Sequence, residues 1–206
     1  MEISSVYTNA LTNLLHAMAL GAYFVLAWKR SRCWPELYNA WVVAFFGLLL
    51  FLKCSGVLVH WPEMAWAAPG IWLAIAVGAC VAGWAALVAQ GVSQRCLRGA
   101  IIAAVVLTVI GVSRQNFLFL ACAQLSMTGV LAFQARGLLR LGWMGVIVSN
   151  LAWILMRQLL QDYSRKYAVD FVDIRYDNDV YHFMLIVSTY LLFRSVSLGL
   201  WQKKAS

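Results

Sequence analysis

Seven apolar runs of about twenty residues follow one another along the chain, separated by polar or basic breaks that are short except for the long polar stretch before the last run. Such a run is long enough to cross the hydrocarbon core of a bilayer as a helix. None of the runs alternates apolar and polar positions as a strand does, and helices satisfy their own backbone hydrogen bonds in lipid. The pattern therefore predicts an all-α fold, a polytopic seven-transmembrane-helix bundle. The predicted spans are about 7–28, 37–60, 69–90, 97–112, 117–134, 141–160 and 180–201, the fourth being the shortest.

Composition supports this fold and leaves little room for another domain. Of 206 residues, 63% are apolar and 12% charged, and the mean hydropathy is +0.77. A soluble domain is about 45–50% apolar. Seven spans would use about 140 residues, so we expect residues 1–206 to form a single integral membrane domain.

Basic residues are distributed unequally between the two sides of the predicted spans. One side has Lys29, Arg30, Arg32, Arg95, Arg98, Arg136, Arg140, Lys203 and Lys204. The other side has Arg114, Arg165, Lys166 and Arg175. Because Lys and Arg are held on the cytoplasmic face during insertion, the N-terminus is predicted outside and the C-terminus inside. The net charge of +8 then reflects this asymmetry and contact with anionic lipids of the cell (inner) membrane, with no nucleic-acid partner.

Polar residues inside three of the spans recur at spacings of three and four, which places each set on one helix face. The first helix has Asn9, Thr12, Asn13 and His16; the second has Lys53, Gly56, His60 and Glu63; the seventh has Asn178, Asp179, His182 and Thr189. All three stripes fall in the predicted outer half, which favours a water-accessible pocket.

Lys53 is the most deeply placed charge in the sequence. It should turn inward and find a neutral partner, because an ammonium group in lipid is costly. The candidate partners are Asn13, Gln124, Ser126, Asn150 and carbonyl oxygens.

The histidines and acids of these stripes suggest a metal site. Imidazole and carboxylate groups suit zinc, and a zinc-bound water at an open position can attack an ester or amide. We expect His60 and His182 to approach one another and, with Asp179, to be the candidate ligands. Glu63, Asp177 and His16 are candidates for fourth ligand or general base. The alternative is that these groups only hydrogen-bond helices to one another.

A second set of residues could bind an anion such as a headgroup phosphate. Lys53 and Asn178 belong to the predicted pocket, and Arg114 and Arg157 lie near the outer ends of their spans. They could equally be ordinary interfacial anchors.

The segment from Tyr181 and His182 to Tyr190 resembles the last helix of the alkaline ceramidase and adiponectin-receptor (CREST) superfamily of seven-helix membrane hydrolases. His60 matches the histidine at the end of that superfamily's second helix. The resemblance implies a zinc-dependent hydrolase that cuts a lipid amide. The sequence departs from the family pattern at Asn178, where a second histidine is usual, and at Gly56, where a serine is usual. The family's early third-helix Asp has no counterpart here.

Three functions remain open from the sequence. The first is a metal-dependent hydrolase acting on a membrane lipid amide or ester. The second is a non-catalytic assembly subunit with membrane-protein partners. The third is a small-solute or proton transporter using Lys53, His16 and His60 as a relay, although the chain lacks the repeated halves that mark many transporters.

Overall fold

The computed structural model describes residues 5–59, 68–114, 117–170 and 174–201, and within these ranges it contains seven α-helices and no strand. The helices are α1 (Ser5–Ser31), α2 (Ala40–Val59), α3 (Ala68–Ala89), α4 (Gln94–Ser113), α5 (Phe117–Gln134), α6 (Gly137–Tyr167) and α7 (Asp177–Ser197). The predicted all-helical architecture is therefore confirmed.

Six of these helices are long and apolar enough to cross a membrane: α1, α2, α3, α4, α6 and α7. The sequence pattern predicts the fourth span to be the shortest, but α4 has 20 residues and α5 has 18. Gln94 begins α4 three residues before the predicted start, because the Ser93 side chain accepts a hydrogen bond from the Cys96 N–H and caps the helix there. A seventh span, by α5, stays a prediction.

Local signals set several helix ends. Asn39 precedes α2, and its Oδ1 accepts hydrogen bonds from the backbone N–H groups two and three residues on, at 3.0 and 3.1 Å. Gly91 follows α3 and Gly199 follows α7, with φ of 62° and 67°. After each glycine, the next N–H donates to the carbonyl five residues earlier, at 3.1 and 3.0 Å. Glycine suits this helix ending because its left-handed conformation carries no Cβ penalty.

The helices form a ring in the order α1, α2, α3, α5, α6, α7, which closes where α7 packs on α1, and α4 packs beside it against α3 and α5. The first and last helices run parallel: Thr8 contacts Asp179 near their beginnings and Arg30 contacts Ser197 near their ends. We call the end of the bundle at which α1 and α7 begin the polar end.

Apolar and polar side chains are distributed as in a membrane protein. Large apolar side chains of α6 face outward and are 53–62% exposed: Leu141, Leu151, Leu155 and Leu159. Polar side chains of α1 face the interior and are at most 5% exposed: Asn9, Thr12, Asn13 and His16. An apolar surface around a polar interior fits lipid as the surrounding solvent.

Away from the polar end, a cluster of buried aromatic rings fills the interior. It consists of Phe45, Phe46, Trp143, Phe193 and Trp201, all at most 5% exposed. Phe45 is central, with ring centroids 5.2 Å from Phe46, 5.3 Å from Trp201 and 5.7 Å from Trp143. We call this cluster the aromatic floor, because it underlies the cavity described next.

Candidate functional site

The ring surrounds a partly open cavity of about 250 Å³. Its lining runs from Arg157, Arg175 and Asn178 at the polar end to Phe45 and Trp143 of the aromatic floor. On α7 alone the lining extends from Asn178 to Leu192, about 21 Å along the helix axis. The cavity is therefore long and narrow.

Polar and apolar side chains line different levels of this cavity. Polar side chains lie in its upper part: Asn13, Lys53, Gln124, Asn150 and His182. Deeper levels are lined by Leu20, Met127, Leu131 and Leu192. The space thus has a polar head and an apolar tail.

Lys53 reaches into the polar head from α2. Its Nζ lies 3.1 Å from Nδ1 of His182 and 5.3 Å from the centroid of the Tyr181 ring. On the other side of the imidazole, Nε2 of His182 lies 2.8 Å from Nδ2 of Asn13. The predicted inward orientation of Lys53 is confirmed, although the partner is His182 and not one of the predicted groups.

Among the described residues, Lys53 forms no ion pair. Its amine contacts the His182 imidazole and the Tyr181 ring. Ionisable groups within membrane spans usually pair with each other or mark a ligand pathway. Lys53 is therefore the residue from which a ligand can be inferred.

Asp179 joins α7 to α1. Its Oδ2 accepts a hydrogen bond from the Thr8 hydroxyl at 2.7 Å, and its Oδ1 accepts one from the Thr12 hydroxyl at 2.8 Å. The side chain is buried and does not line the cavity. In this arrangement the carboxylate holds the polar ends of two helices together.

His16 lies one helical turn deeper than Asn13 and is 1% exposed. Its Nε2 lies 3.2 Å from the Thr189 hydroxyl, which donates its hydrogen to the Leu185 carbonyl at 2.8 Å. Nδ1 of His16 is buried and has no hydrogen-bond partner among the described residues.

Two arginines line the cavity at the polar end. Arg157 lies over the Trp153 ring, 5.5 Å from its centroid, and Trp153 Nε1 donates to Asn178 Oδ1 at 2.9 Å. Arg175 Nε lies 3.8 Å from Oδ1 of the fully buried Asp177. Burial lowers the pKa of Arg175 and the Asp177 carboxylate opposes this effect. Arg175 keeps its charge because a guanidinium is not deprotonated in proteins.

The structure brings together about half of the residues that the sequence predicts for the site. The cavity lining includes His16, Lys53, Arg157, Asn178 and His182. Three predicted residues lie outside that lining: Arg114, which is exposed at the end of α4, and the buried Asp177 and Asp179. His60 and Glu63 lie outside the described residues, so the approach of His60 to His182 stays a prediction.

The described residues alone do not fit a zinc ion. Within them, no three His, Cys, Asp or Glu side chains lie close enough together to hold a metal. Both nitrogens of His182 face nitrogen atoms of Asn13 and Lys53, and both oxygens of Asp179 accept hydroxyl hydrogens. A zinc site would need His60 and Glu63, and it stays a prediction.

Some contributors to the site were missed in the sequence. Thr8 lies four residues before Thr12, so extending the first stripe by one helical turn would have found it. Arg175 lies two residues before Asp177, a charge pairing visible in the sequence. Trp153 and Tyr181 carry no such signal, because aromatic residues in membrane helices are usually packing or interfacial groups.

A comparison of this chain with protein-family models, with curated proteins and with solved structures finds no match. The fold is that of a helical membrane protein, because its outer surface is apolar and six of its helices are long enough to span a bilayer. The resemblance to the alkaline ceramidase and adiponectin-receptor superfamily stays a prediction.

Proposed function

We propose that this protein binds, within the membrane, an amphipathic molecule that has an anionic headgroup and an apolar chain. The observation that carries the proposal is Lys53, whose amine lines the polar head of the cavity without an ion pair to any described residue. A carboxylate or phosphate would supply the missing anion. Charge-assisted hydrogen bonds of this kind contribute about 1.5–3 kcal/mol each.

Two further features support an anionic headgroup. Arg157 and Arg175 both line the polar end of the cavity, and Arg175 Nε lies 3.8 Å from Oδ1 of Asp177. The described cavity lining contains three Lys and Arg residues and no Asp or Glu. A lining with this charge attracts anions and disfavours cations.

The deeper part of the cavity supports the apolar chain. Burial of apolar surface is worth roughly 25 cal/mol per Å², and the lining there is mainly aliphatic and aromatic, with the hydroxyls of Thr128 and Thr189 as exceptions. A ligand lying along α7 would place its headgroup near His182 and its chain end near Leu192. Fatty acids and alkyl phosphates have this shape and charge.

The proposal can be tested with the full chain in nanodiscs of zwitterionic lipid. Dodecanoate, dodecyl phosphate, methyl dodecanoate and dodecylamine are each titrated, and the melting temperature is followed. We expect stabilisation by one or both anions, equivalent to about 2.7 kcal/mol at a ligand concentration one hundred times Kd. The two anions distinguish a carboxylate from a phosphate site, and the ester and amine should have little effect.

Lys53→Met should abolish the anion effect while the unliganded protein remains folded. The matched control is Lys29→Met, since Lys29 is exposed at the opposite end of α1. Equal stabilisation by ester and acid, or full binding by Lys53→Met, would contradict the proposal.

A metal-dependent lipid hydrolase is the second candidate, favoured by His16 and His182 lining the same cavity. Metal analysis of the purified protein tests it, with a His60→Ala, His182→Ala double variant for comparison. About one zinc per chain, lost in the variant, would support the hydrolase. Wild-type protein that takes up no zinc from added salt would contradict it.

The same proposal includes the membrane in which the protein lies and its orientation there. We place it in the cell (inner) membrane with the polar end outside, on the distribution of basic residues. Membrane lipids are then its immediate partners and the source of its ligand. The assembly-subunit and transporter hypotheses have no observation in their favour beyond the buried polar stripes.

A further inference from the structure

We propose that the aromatic floor limits the length of the ligand, so that the cavity selects anionic amphiphiles with a chain of about nine to thirteen carbons. Phe45 and Trp143 set this limit, because they are the residues of the floor that line the cavity. The inference rests on the proposed function, since it assigns the chain length of the same ligand. It adds a selectivity that the headgroup contacts do not provide.

The lining ends at a similar depth on three helices that meet at the polar head. Asn13 of α1 and Lys53 of α2 both contact His182 of α7 there. The deepest lining residues of these three helices lie seven, eight and ten residues away from those contacts and are Leu20, Phe45 and Leu192. At 1.5 Å per residue, the cavity ends about 10–15 Å below the headgroup contacts.

The floor at this depth is closely packed and held from behind. The Phe45 ring centroid lies 5.3 Å from that of Trp201 and 5.7 Å from that of Trp143. Trp201 Nε1 donates to Ser195 Oγ at 2.7 Å and to the Leu192 carbonyl at 3.2 Å. All three rings are at most 3% exposed. A longer chain would therefore have to displace packed rings, which is unfavourable in a close-packed interior.

The depth of the cavity converts into a number of carbon atoms. Carbon–carbon bonds of about 1.5 Å at tetrahedral angles advance an extended chain by about 1.25 Å per bond. A depth of about 10–15 Å then holds about 8–12 bonds. Decanoate and dodecanoate fit this space. Hexadecanoate exceeds dodecanoate by about 5 Å, so its end must bend back, displace the floor or leave the cavity.

The test is a chain-length series on the full-length protein in nanodiscs of zwitterionic lipid. Decanoate, dodecanoate, tetradecanoate and hexadecanoate are titrated, together with the matching alkyl phosphates. Each Kd is expressed as a mole fraction of ligand in the lipid, which removes the stronger partitioning of longer chains into the bilayer. In the series that binds, we expect the hexadecyl chain to bind about tenfold more weakly than the dodecyl chain, equivalent to about 1.4 kcal/mol.

Two neighbouring residues give a matched pair of variants. Phe45 and Phe46 both belong to the aromatic floor and are at most 3% exposed, but of the two it is Phe45 that lines the described cavity. Phe45→Leu shortens the side chain at the end of the cavity. The ratio of Kd for hexadecanoate to Kd for dodecanoate should then fall about fivefold, equivalent to about 1 kcal/mol. Phe46→Leu should leave this ratio unchanged.

A second variant keeps the test independent of whether Phe45→Leu folds. Trp143 lines the same end of the cavity from α6, so Trp143→Leu should lower the ratio in the same direction. The ratio is read within each variant, so a general loss of stability does not affect it.

The possible outcomes distinguish this inference from the proposed function. If dodecanoate or dodecyl phosphate binds through Lys53 but longer chains bind equally well, the inference is wrong and the proposed function stands. Equal ratios in Phe45→Leu, Trp143→Leu and Phe46→Leu would also overturn it. If no anionic amphiphile binds the wild-type protein, the proposed function fails and the inference with it. A length limit that is relaxed by Phe45→Leu or Trp143→Leu, and kept by Phe46→Leu, supports both.

Discussion

The hydrogen bond from Thr12 to Asp179 offers a quantitative test of how α1 and α7 are joined. Thr12→Val keeps the shape of the side chain but removes the hydroxyl that donates to Asp179 Oδ1 at 2.8 Å. A hydrogen bond to a charged group is worth about 1.5–3 kcal/mol in water-soluble proteins. Measured polar contacts between membrane helices are weaker, about 0.6 kcal/mol on average. Thr12 is 5% exposed, so water cannot easily replace its hydroxyl in the variant. We therefore expect Thr12→Val to lower the free energy of unfolding by about 1–2 kcal/mol.

The assay is equilibrium unfolding in mixed micelles, with Thr12→Ser and Thr8→Val for comparison. The serine variant keeps the donor and should recover most of the stability. Thr8 is less buried than Thr12, so water can replace its hydroxyl and Thr8→Val should cost less. A Thr12→Val protein as stable as the wild type, or a larger loss for Thr8→Val, would refute this account of Asp179.

Two further predictions concern packing and orientation. A Cβ added at Gly142 would lie 2.7 Å from Leu192 Cδ2 and 3.1 Å from its backbone nitrogen, so Gly142→Ala should destabilise by about 1–3 kcal/mol in the same unfolding assay. Gly129→Ala, where nothing lies within 4 Å, should be neutral or stabilising. For orientation, an impermeant thiol reagent should label Ser164→Cys from outside and leave Ser206→Cys unlabelled in intact cells; the reverse pattern would invert the topology.

The helices and the polar stripes could be read from the sequence because both rest on local periodicity. Twenty apolar residues specify a membrane helix whatever its neighbours are. Polar residues at spacings of three and four share a face, and lipid on one side forces that face inward. This reasoning anticipated the burial of Asn13, His16, Asn178 and His182.

The pairing between helices could not be read in the same way. Periodicity shows that Lys53 turns inward but does not show which helix faces it. The sequence therefore predicts amide, hydroxyl or carbonyl partners, whereas the structure has His182 there. The same limit applies to Asp179: a carboxylate beside a histidine suits a metal, and its two hydroxyl partners lie about 170 residues away on α1. Which neighbours meet depends on the order of helices in the ring, and that order is a property of the whole chain.

The closure of the ring by α1 and α7 has a consequence for biosynthesis. The ribosome makes α1 first and α7 last, and Asn13 meets His182 across 169 residues of chain. At about 5–20 residues per second, α1 would wait roughly 10–30 s before its buried polar partners emerge. During that time Asn9, Thr12, Asn13 and His16 face lipid or the insertion machinery. A chain truncated before α7 should therefore stay unassembled and be degraded, even with its six other helices complete.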